Sequence, residues 1–371
     1  MSSRQEEKPK DINTSGSSAL EALGFDAWFA EQSAGLLEDG FAIARVIEVN
    51  KSNYKVSTGR HDILAELSGR FLFNVDNRTE LPTVGDWVVV QCFDEDGLAI
   101  IHHILPRKSL LRRKDPGKAV AFQLIAANID FAFIVQSADA NFNLHRLERY
   151  LVMVHESKIA PMVILSKTDL LPAEQLAGIQ EQVKPYQDKY PFLAISNVTG
   201  DGLQKVREVL QSGKTYCLLG SSGVGKTTLL NNLLGEALYE VNAVREKDSR
   251  GRHTTSKRQL VRLPDGSIFI DTPGMRELGN FNVDAGLEET FDEIASLQGQ
   301  CHFADCTHRH EAGCAVIAAV QQGLIDHERY QNYLKIQKES AYYAMSYQDK
   351  RKKDKQFGKM VKDYKKSIRK K

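Results

Sequence analysis

Apolar and polar residues alternate through most of the stretch from Gly40 to Leu105. The runs FAIARVIEV, YKVS, DILAEL, DWVVVQC and LAIIHHI each fit a half-buried strand, and Gly, Asn and Asp separate them. Short strands in close succession predict a small antiparallel barrel, with an OB-fold as the natural form at 40–106. Upstream, 19–34 predicts a short helix with Leu20, Leu23, Ala27 and Trp28 on one side. Residues 1–39 are thus read as a flexible polar arm and that helix. A basic connector follows the barrel at 107–127. It carries Arg107, Lys108, Arg112, Arg113, Lys114 and Lys118, with Pro106 and Pro116 as punctuation. The texture then changes. Apolar runs at 131–135, 162–165, 192–195 and 216–219 alternate with helical stretches, and two more come at 259–263 and 267–270. This pattern predicts a multidomain α/β chain whose central unit, 128–285, is a mostly parallel sheet with helices on both faces. A helix near 287–297 leads into a helical C-terminal unit at 286–345, and a lysine-rich tail occupies 346–371.

The formal net charge is only +1, but it is unevenly spread. Between Lys350 and Lys371 there are twelve Lys or Arg against two Asp. No apolar run approaches the roughly 20 residues of a membrane span. The opening stretch MSSRQEEKPKDINTSGSS lacks the apolar segment of a secretory signal. There are five cysteines: Cys92, Cys217, Cys301, Cys306 and Cys314. An odd count argues for a reducing, cytoplasmic setting. A monomer without membrane contact is expected. Cys92, Cys217, His102 and His103 fall in strand patterns and carry no expected chemistry.

Gly220-Ser221-Ser222-Gly223-Val224-Gly225-Lys226-Thr227 fits G-x-x-x-x-G-K-[ST], followed by Thr228. Its glycines let backbone N–H groups converge on phosphate oxygens. Lys226 would reach the β and γ phosphates, and the Thr227 hydroxyl would bind Mg²⁺. An apolar strand precedes the loop and a helical pattern follows, so the context supports the motif. Asp271-Thr272-Pro273-Gly274 ends a later strand. There Asp271 would face a Mg²⁺-bound water, and the Gly274 N–H a γ-phosphate. Between them lies the polar stretch Ser249-Arg250-Gly251-Arg252-His253-Thr254-Thr255. Thr255, with Thr254 as the rival, would complete the Mg²⁺ shell. Alone, a D-x-x-G is more often a turn, and the polar stretch could equally be a solvated loop.

Ser166-Lys167-Thr168-Asp169 is close to N-K-x-D. The Asp169 carboxylate would accept from the two donors on the guanine edge, which adenine lacks. The Lys167 stem would pack over the base. Ser166 stands where Asn is usual, so one amide is lost. Ser196, at the end of the next strand run, marks a second base-side loop. In an isolated match, a plain strand end is the better reading. Two candidates at successive strand ends favour guanine, because open α/β sheets bind ligands at those carboxyl ends. The order is base reader, second base loop, phosphate loop, polar loop, D-x-x-G. It is the usual GTPase order circularly permuted, which chains tolerate when the original termini lie close together.

Residues 301–314 read CHFADCTHRHEAGC. Cys301, Cys306, His308 and Cys314 give C-x4-C-x-H-x5-C, a donor set that suits one structural Zn²⁺. His302 and His310 compete, and His310 is the serious rival to His308.

These motifs together resemble the ribosome small-subunit-dependent GTPase A family, from about Gly40 to about Tyr333. The permuted order, GSSGVGKTT, GRHTT, DTPGM and the Cys/His cluster carry the resemblance. It implies an N-terminal OB-fold, a permuted GTPase domain and a zinc domain. It also implies a late-acting assembly factor of the small (30S) ribosomal subunit whose GTP hydrolysis that subunit stimulates. Met275 follows D-x-x-G, where many GTPases place a water-orienting Gln, so unaided hydrolysis should be slow. His253 is the residue the resemblance offers as a substitute. The barrel, the connector and the tail, with Tyr342, Tyr343, Tyr347 and Phe357 nearby, point to ribosomal RNA. Two rivals remain. One is a P-loop ATPase or small-molecule kinase. The other is an RNA-binding scaffold with a structural nucleotide.

Overall fold

The computed structural model of the chain describes residues 17–37, 40–93, 97–114, 122–235, 258–271 and 283–345. Five strands make the barrel: β1 (Phe41–Val49), β2 (Tyr54–Ser57), β3 (Asp62–Leu67), β4 (Trp87–Cys92) and β5 (Leu98–Ile104). They pair in the order β1-β2-β3-β5-β4, and β4 closes back on β1. Four contacts are antiparallel and β3–β5 is parallel, with Leu64 opposite Leu98. Ala44, Val46, Val56, Ile63, Ala65, Val88, Val90, Ala99 and Ile101 fill the interior. Trp87, Val89 and Ile43 form a second cluster with Leu23 and Phe29 of the N-terminal segment.

That segment is two helices, Ser17–Glu21 and Ala27–Ser33, rather than one. Gly24 at φ +87° breaks the chain between them, and the Asp26 carboxylate caps the second by accepting from the Phe29 N–H. The basic connector is also more ordered than its composition implies. β6 (Leu110–Lys114) and β7 (Phe122–Ala127) form an antiparallel ribbon.

β8 (Phe131–Ser137), β9 (Ala160–Ser166), β10 (Phe192–Ala194), β11 (Thr215–Leu219), β12 (Arg258–Arg262) and β13 (Ile268–Asp271) build the second unit. Their order is β10-β9-β8-β11-β13-β12, parallel except for the β12–β13 pair. Successive residues face opposite sides. Ala132 and Ile134 join the helix Leu144–Glu156 in one core, while Phe133 and Val135 join the helix Lys226–Leu234 in the other. Near-continuous apolar runs follow from burial on both faces. β12 continues into the barrel, with Gln259 opposite Glu48 and Arg258 opposite Val49.

Arg45 fastens the units together. Its guanidinium is fully buried and donates to the carbonyls of Leu23, Gly85 and Asn128, and to Thr215 Oγ1 at 2.9 Å. Burial lowers its pKa to about 10, which leaves it charged at neutral pH. Thr215 opens β11, so the barrel reaches the strand that carries the phosphate loop.

The C-terminal unit holds the helices Asp284–Thr290, Asp292–Gln298, Ala315–Gln321 and His327–Ala344. The single helix expected near 287–297 is split at Phe291, whose non-helical backbone (φ −114°, ψ 49°) seats its ring in the core against Tyr333. The unit rests on the helix Leu144–Glu156. Val152 enters its core, and a Cβ on Gly286 would lie 2.1 Å from the Val152 carbonyl oxygen.

Candidate nucleotide site and metal centre

β11 ends at Leu219, and the chain turns through Gly220 into the helix Lys226–Leu234. Gly220 has φ +146°, and a Cβ there would lie 2.3 Å from the Val135 carbonyl oxygen. Gly225, just before the helix, has φ +92°. Neither position accepts a side chain without strain. Val224 is buried under the loop, Ser222, Gly223 and Thr227 are exposed, and Thr228 is half-buried. The Lys226 ammonium donates to the carbonyls of Gly220 and Ser221 at 2.8 and 2.6 Å, which holds its charge over the loop. Ser221 in turn bonds the Tyr150 hydroxyl, whose pKa burial raises. The helix N-terminus adds a field that favours an anion.

The residues expected to meet the base lie at the carboxyl ends of neighbouring strands. Ser166 ends β9 and is fully buried. Its Oγ is 2.6 Å from the Val224 carbonyl oxygen and 3.2 Å from that of Gln136, so its one proton goes to the phosphate loop. The amide lost at this position is therefore partly replaced by a hydroxyl that reaches the loop. Lys167 takes the left-handed conformation (φ 59°), and its ammonium pairs with Asp139 at 3.3 Å. Burial works against the Asp139 carboxylate, but hydrogen bonds from Asn141 N–H, Ser137 and Lys167 hold its pKa below the ordinary value. Asp169 is exposed and makes no hydrogen bond among the described residues. The Ser196 hydroxyl accepts from the N–H groups of Val198 and Thr199 at 3.2 and 3.1 Å and so shapes the second base loop.

Sequence reading missed Asp139, Tyr150 and Asn232, and it took in Asn197 only as part of the second base loop that Ser196 marks. The Asn197 amide donates to the Gly225 carbonyl at 3.1 Å, and Asn232 Nδ2 donates back to Asn197 O and Oδ1 at 3.1 and 3.3 Å. Only Asn197 had a signal, as a polar residue directly after Ser196. Asp271 is the last residue of β13, next to β11. His253, Thr254, Thr255, Gly274 and Met275 lie outside the described residues.

Cys301, Cys306, His308 and Cys314 converge, with all four ligand atoms within 4.8 Å of one another. Cys301 Sγ and Cys314 Sγ are 3.9 Å apart, and His308 Nδ1 lies 3.6 and 3.5 Å from them. A tetrahedral ion with Zn–S bonds of about 2.3 Å needs ligand separations of about 3.8 Å. The donor set therefore fits a metal ion. His308 enters through a left-handed backbone (φ 58°) fixed by the Tyr330 hydroxyl, which donates to its carbonyl. Burial pushes the His308 pKa down and favours the neutral ring a metal requires. His310 is exposed and stays outside the cluster. Beneath the four residues the Glu311 carboxylate accepts from the N–H groups of Thr307, Arg309 and His310, which shapes the knuckle. Cys217, by contrast, is a core thiol whose pKa burial pushes up to about 12.

A family model described as RsgA GTPase matches residues 104–281. A small ribosomal subunit biogenesis GTPase RsgA of Opitutus terrae is 40% identical over 334 residues, covering 88% of this chain and 90% of its own length. This chain belongs to the RsgA GTPase family. The crystal structure of YjeQ from Thermotoga maritima aligns with a TM-score of 0.61 and 27% identity over 80% of this chain and 97% of that one. YloQ, described as a circularly permuted GTPase, shares the fold with a TM-score of 0.58 at 24% identity, over 83% and 98%. A second model, described as 50S ribosome-binding GTPase, matches 215–360. That match begins at the first residue of β11, after the base-reading strands, whereas the RsgA GTPase match takes in both. Within the RsgA family frame, the strand order brings Ser166 and Asn197 against one loop, although 54 residues or fewer of chain separate either from Gly220 in the unusual direction.

Proposed function

We propose that this chain is a GTPase that binds the small (30S) ribosomal subunit and acts late in its maturation. One observation carries the nucleotide reading. Two strand-end loops of base-reader type, at Ser166 and Asn197, hydrogen-bond the carbonyls of Val224 and Gly225 in a complete phosphate loop. The ribosomal reading is supported by the relatives, which are named for small-subunit biogenesis.

Lys226 stabilises charge on the transferred phosphoryl group, and the loop N–H groups orient it. Asp169 and Lys167 select guanine, and the backbone after Ser196 meets the base carbonyl. Mg²⁺, when bound with GTP, neutralises phosphate charge, with Thr227, Asp271 and Thr255 as its proposed ligands. His253 orients the attacking water in place of the Gln that Met275 replaces. Gly274 senses the γ-phosphate. The metal at Cys301, Cys306, His308 and Cys314 is Zn²⁺, one per chain, in a structural role. The barrel (40–106), the connector (107–127) and the tail (346–371) hold ribosomal RNA. The protein works in the cytoplasm as a monomer. Among the described residues no helix is long and apolar enough to cross a membrane.

The test is steady-state GTP hydrolysis with and without purified small subunits. Slow turnover that the subunit strongly stimulates is the expected result. Turnover that the subunit leaves unchanged removes the ribosomal partner and keeps the nucleotide site. Competition by ATP equal to that by GTP would replace guanine recognition with an ATPase reading. Lys226→Ala should lower kcat/KM by roughly 10²–10³-fold, as loss of a transition-state charge contact does. Full turnover in that variant would move the catalytic site elsewhere.

A further inference from the structure

We propose that Asn197 is a positioning residue that couples the guanine pocket to the phosphate loop, its backbone serving the base and its side chain serving the loop. The inference rests on the guanine-nucleotide reading above and assigns a role within it that no motif carries.

The second base loop is tied up by its own hydrogen bonds. Ser196 N–H donates to the Asp201 carbonyl at 2.9 Å, and the Ser196 hydroxyl takes the N–H groups of Val198 and Thr199. Every N–H around Asn197 is thereby used, while that of Asn197 itself has no partner among the described residues. It is the donor left for a base carbonyl at this strand end. The Asn197 side chain points the other way along the site. Its Nδ2 donates to the Gly225 carbonyl at 3.1 Å, and a Cβ on Gly225 would lie 2.8 Å from that nitrogen. Gly225 directly precedes Lys226 and Thr227, which touch phosphate and Mg²⁺ in the reading above.

The amide is not free to rotate away. Asn232, on the second turn of the helix Lys226–Leu234, donates to Asn197 O at 3.1 Å and to Asn197 Oδ1 at 3.3 Å. Binding Oδ1 from one side fixes Nδ2 toward Gly225 on the other. The result is a short relay from the helix that carries the phosphate ligands, through Asn232 and Asn197, to the loop that meets the base. Ser166 supplies only one hydroxyl proton to the neighbouring Val224 carbonyl. In this chain the amide that the base-reader motif lacks at 166 is thus present at 197, on the next strand end. A ligand that fills both pockets gains from this link, and one that fills only the phosphate loop does not.

The test compares GDP with inorganic pyrophosphate, by calorimetric titration of the full chain in Mg²⁺ and by pyrophosphate displacement of a fluorescent GDP. Asn197→Ala should weaken GDP about tenfold and leave pyrophosphate within twofold. Asn232→Ala, which touches neither ligand, should give the same selective loss and guards against a folding defect in the first variant. Equal losses for both ligands would mean that the amide only shapes the phosphate loop, and would overturn the coupling. No loss for either ligand would overturn it as well. The native chain is the control. If it fails to bind GDP, the guanine-nucleotide reading itself falls, a result distinct from any of these.

Discussion

Stripping the metal proposed at Cys301, Cys306, His308 and Cys314 from the native chain is expected to unfold residues 283–345 while the barrel and the parallel sheet stay folded. The C-terminal unit has its own small core, and Cys314 sits in it, packed with Phe291, Ile294, Val316 and Tyr330. Cys301 and Cys306 lie against the same cluster. About 60 residues with so short a set of helices bury too little surface to fold unaided with a wide margin. A structural zinc site contributes about 10–16 kcal/mol of apparent binding energy, much of it spent on folding. This unit meets the sheet layer from outside, through Val152's helix and through contacts of Arg329 with Tyr186 and of Asp292 with Lys189, and Val152 is the residue of that layer within its core, so the barrel and the two sheet cores should be spared. The check is hydrogen exchange after chelation, with zinc counted by elemental analysis. The helices Ala315–Gln321 and His327–Ala344 should lose protection. Cys314→Ser separates the ligand role from a capping role. Cys314 Sγ also accepts from the Ile317 N–H at 3.5 Å as the N-cap of its helix. Serine caps well but ligates zinc poorly, so the variant should behave like the chelated protein. Retained protection in a zinc-free chain would make the cluster a set of ordinary thiols.

How much of this was legible beforehand differs from element to element. The barrel strands were readable because one face of each meets the core, so Ile63 and Ala65 alternate with Asp62, Leu64 and Glu66. The parallel β3–β5 pair was not, since pairing partners are not written in either strand's own pattern. The pairing of Leu110–Lys114 with Phe122–Ala127 was missed for a related reason. Its charged residues looked solvated, yet Arg112 lies 4.7 Å over the Phe122 ring and Arg113 bonds Gln123 across the strands. The phosphate loop was fully readable because its chemistry is contiguous: eight residues hold the glycines, the lysine and the hydroxyl together. Asn197 and Asn232 could not be paired from sequence, because their contact spans 35 residues and depends on how two loops of a permuted sheet meet. The choice between His308 and His310 also needed coordinates. A left-handed backbone at one histidine turns its ring inward, and neither spacing nor residue type encodes that.

Replacing Arg329 by alanine should destabilise the junction between the nucleotide unit and the C-terminal unit by about 3–5 kcal/mol. Arg329 lies in the helix His327–Ala344 and reaches the helix Leu144–Glu156. Its Nη1 donates to Glu148 Oε1 at 2.6 Å and to the Tyr186 hydroxyl at 2.8 Å, and Nη2 donates to the Thr290 carbonyl at 2.8 Å. Its Nε donates to Glu293, and the guanidinium lies 4.6 Å over the Phe291 ring. Glu148 is 1% exposed, with Asn332 donating to its second oxygen, and the Arg329 guanidinium pairs with it there. Truncation takes the guanidinium away from a buried carboxylate and leaves it Asn332, the Tyr186 hydroxyl and, 3.7 Å away, the His145 ring, which is the costly half of breaking a buried pair. Burial and the Glu148 carboxylate also push the Tyr186 pKa well above its ordinary value, so the phenol stays neutral and serves Glu148 as a hydrogen-bond donor. Both tryptophans, Trp28 and Trp87, belong to the N-terminal segment and barrel, so their fluorescence would not follow this junction. Hydrogen exchange over 144–156 and 327–344 would, and should show earlier opening in urea. Combining Arg329→Met with Glu148→Gln should recover most of the loss, because no ion is then left buried alone. A single Arg329→Ala as stable as the native chain would show that water reaches Glu148, and the junction would then be held by Val152 and Phe291 packing instead.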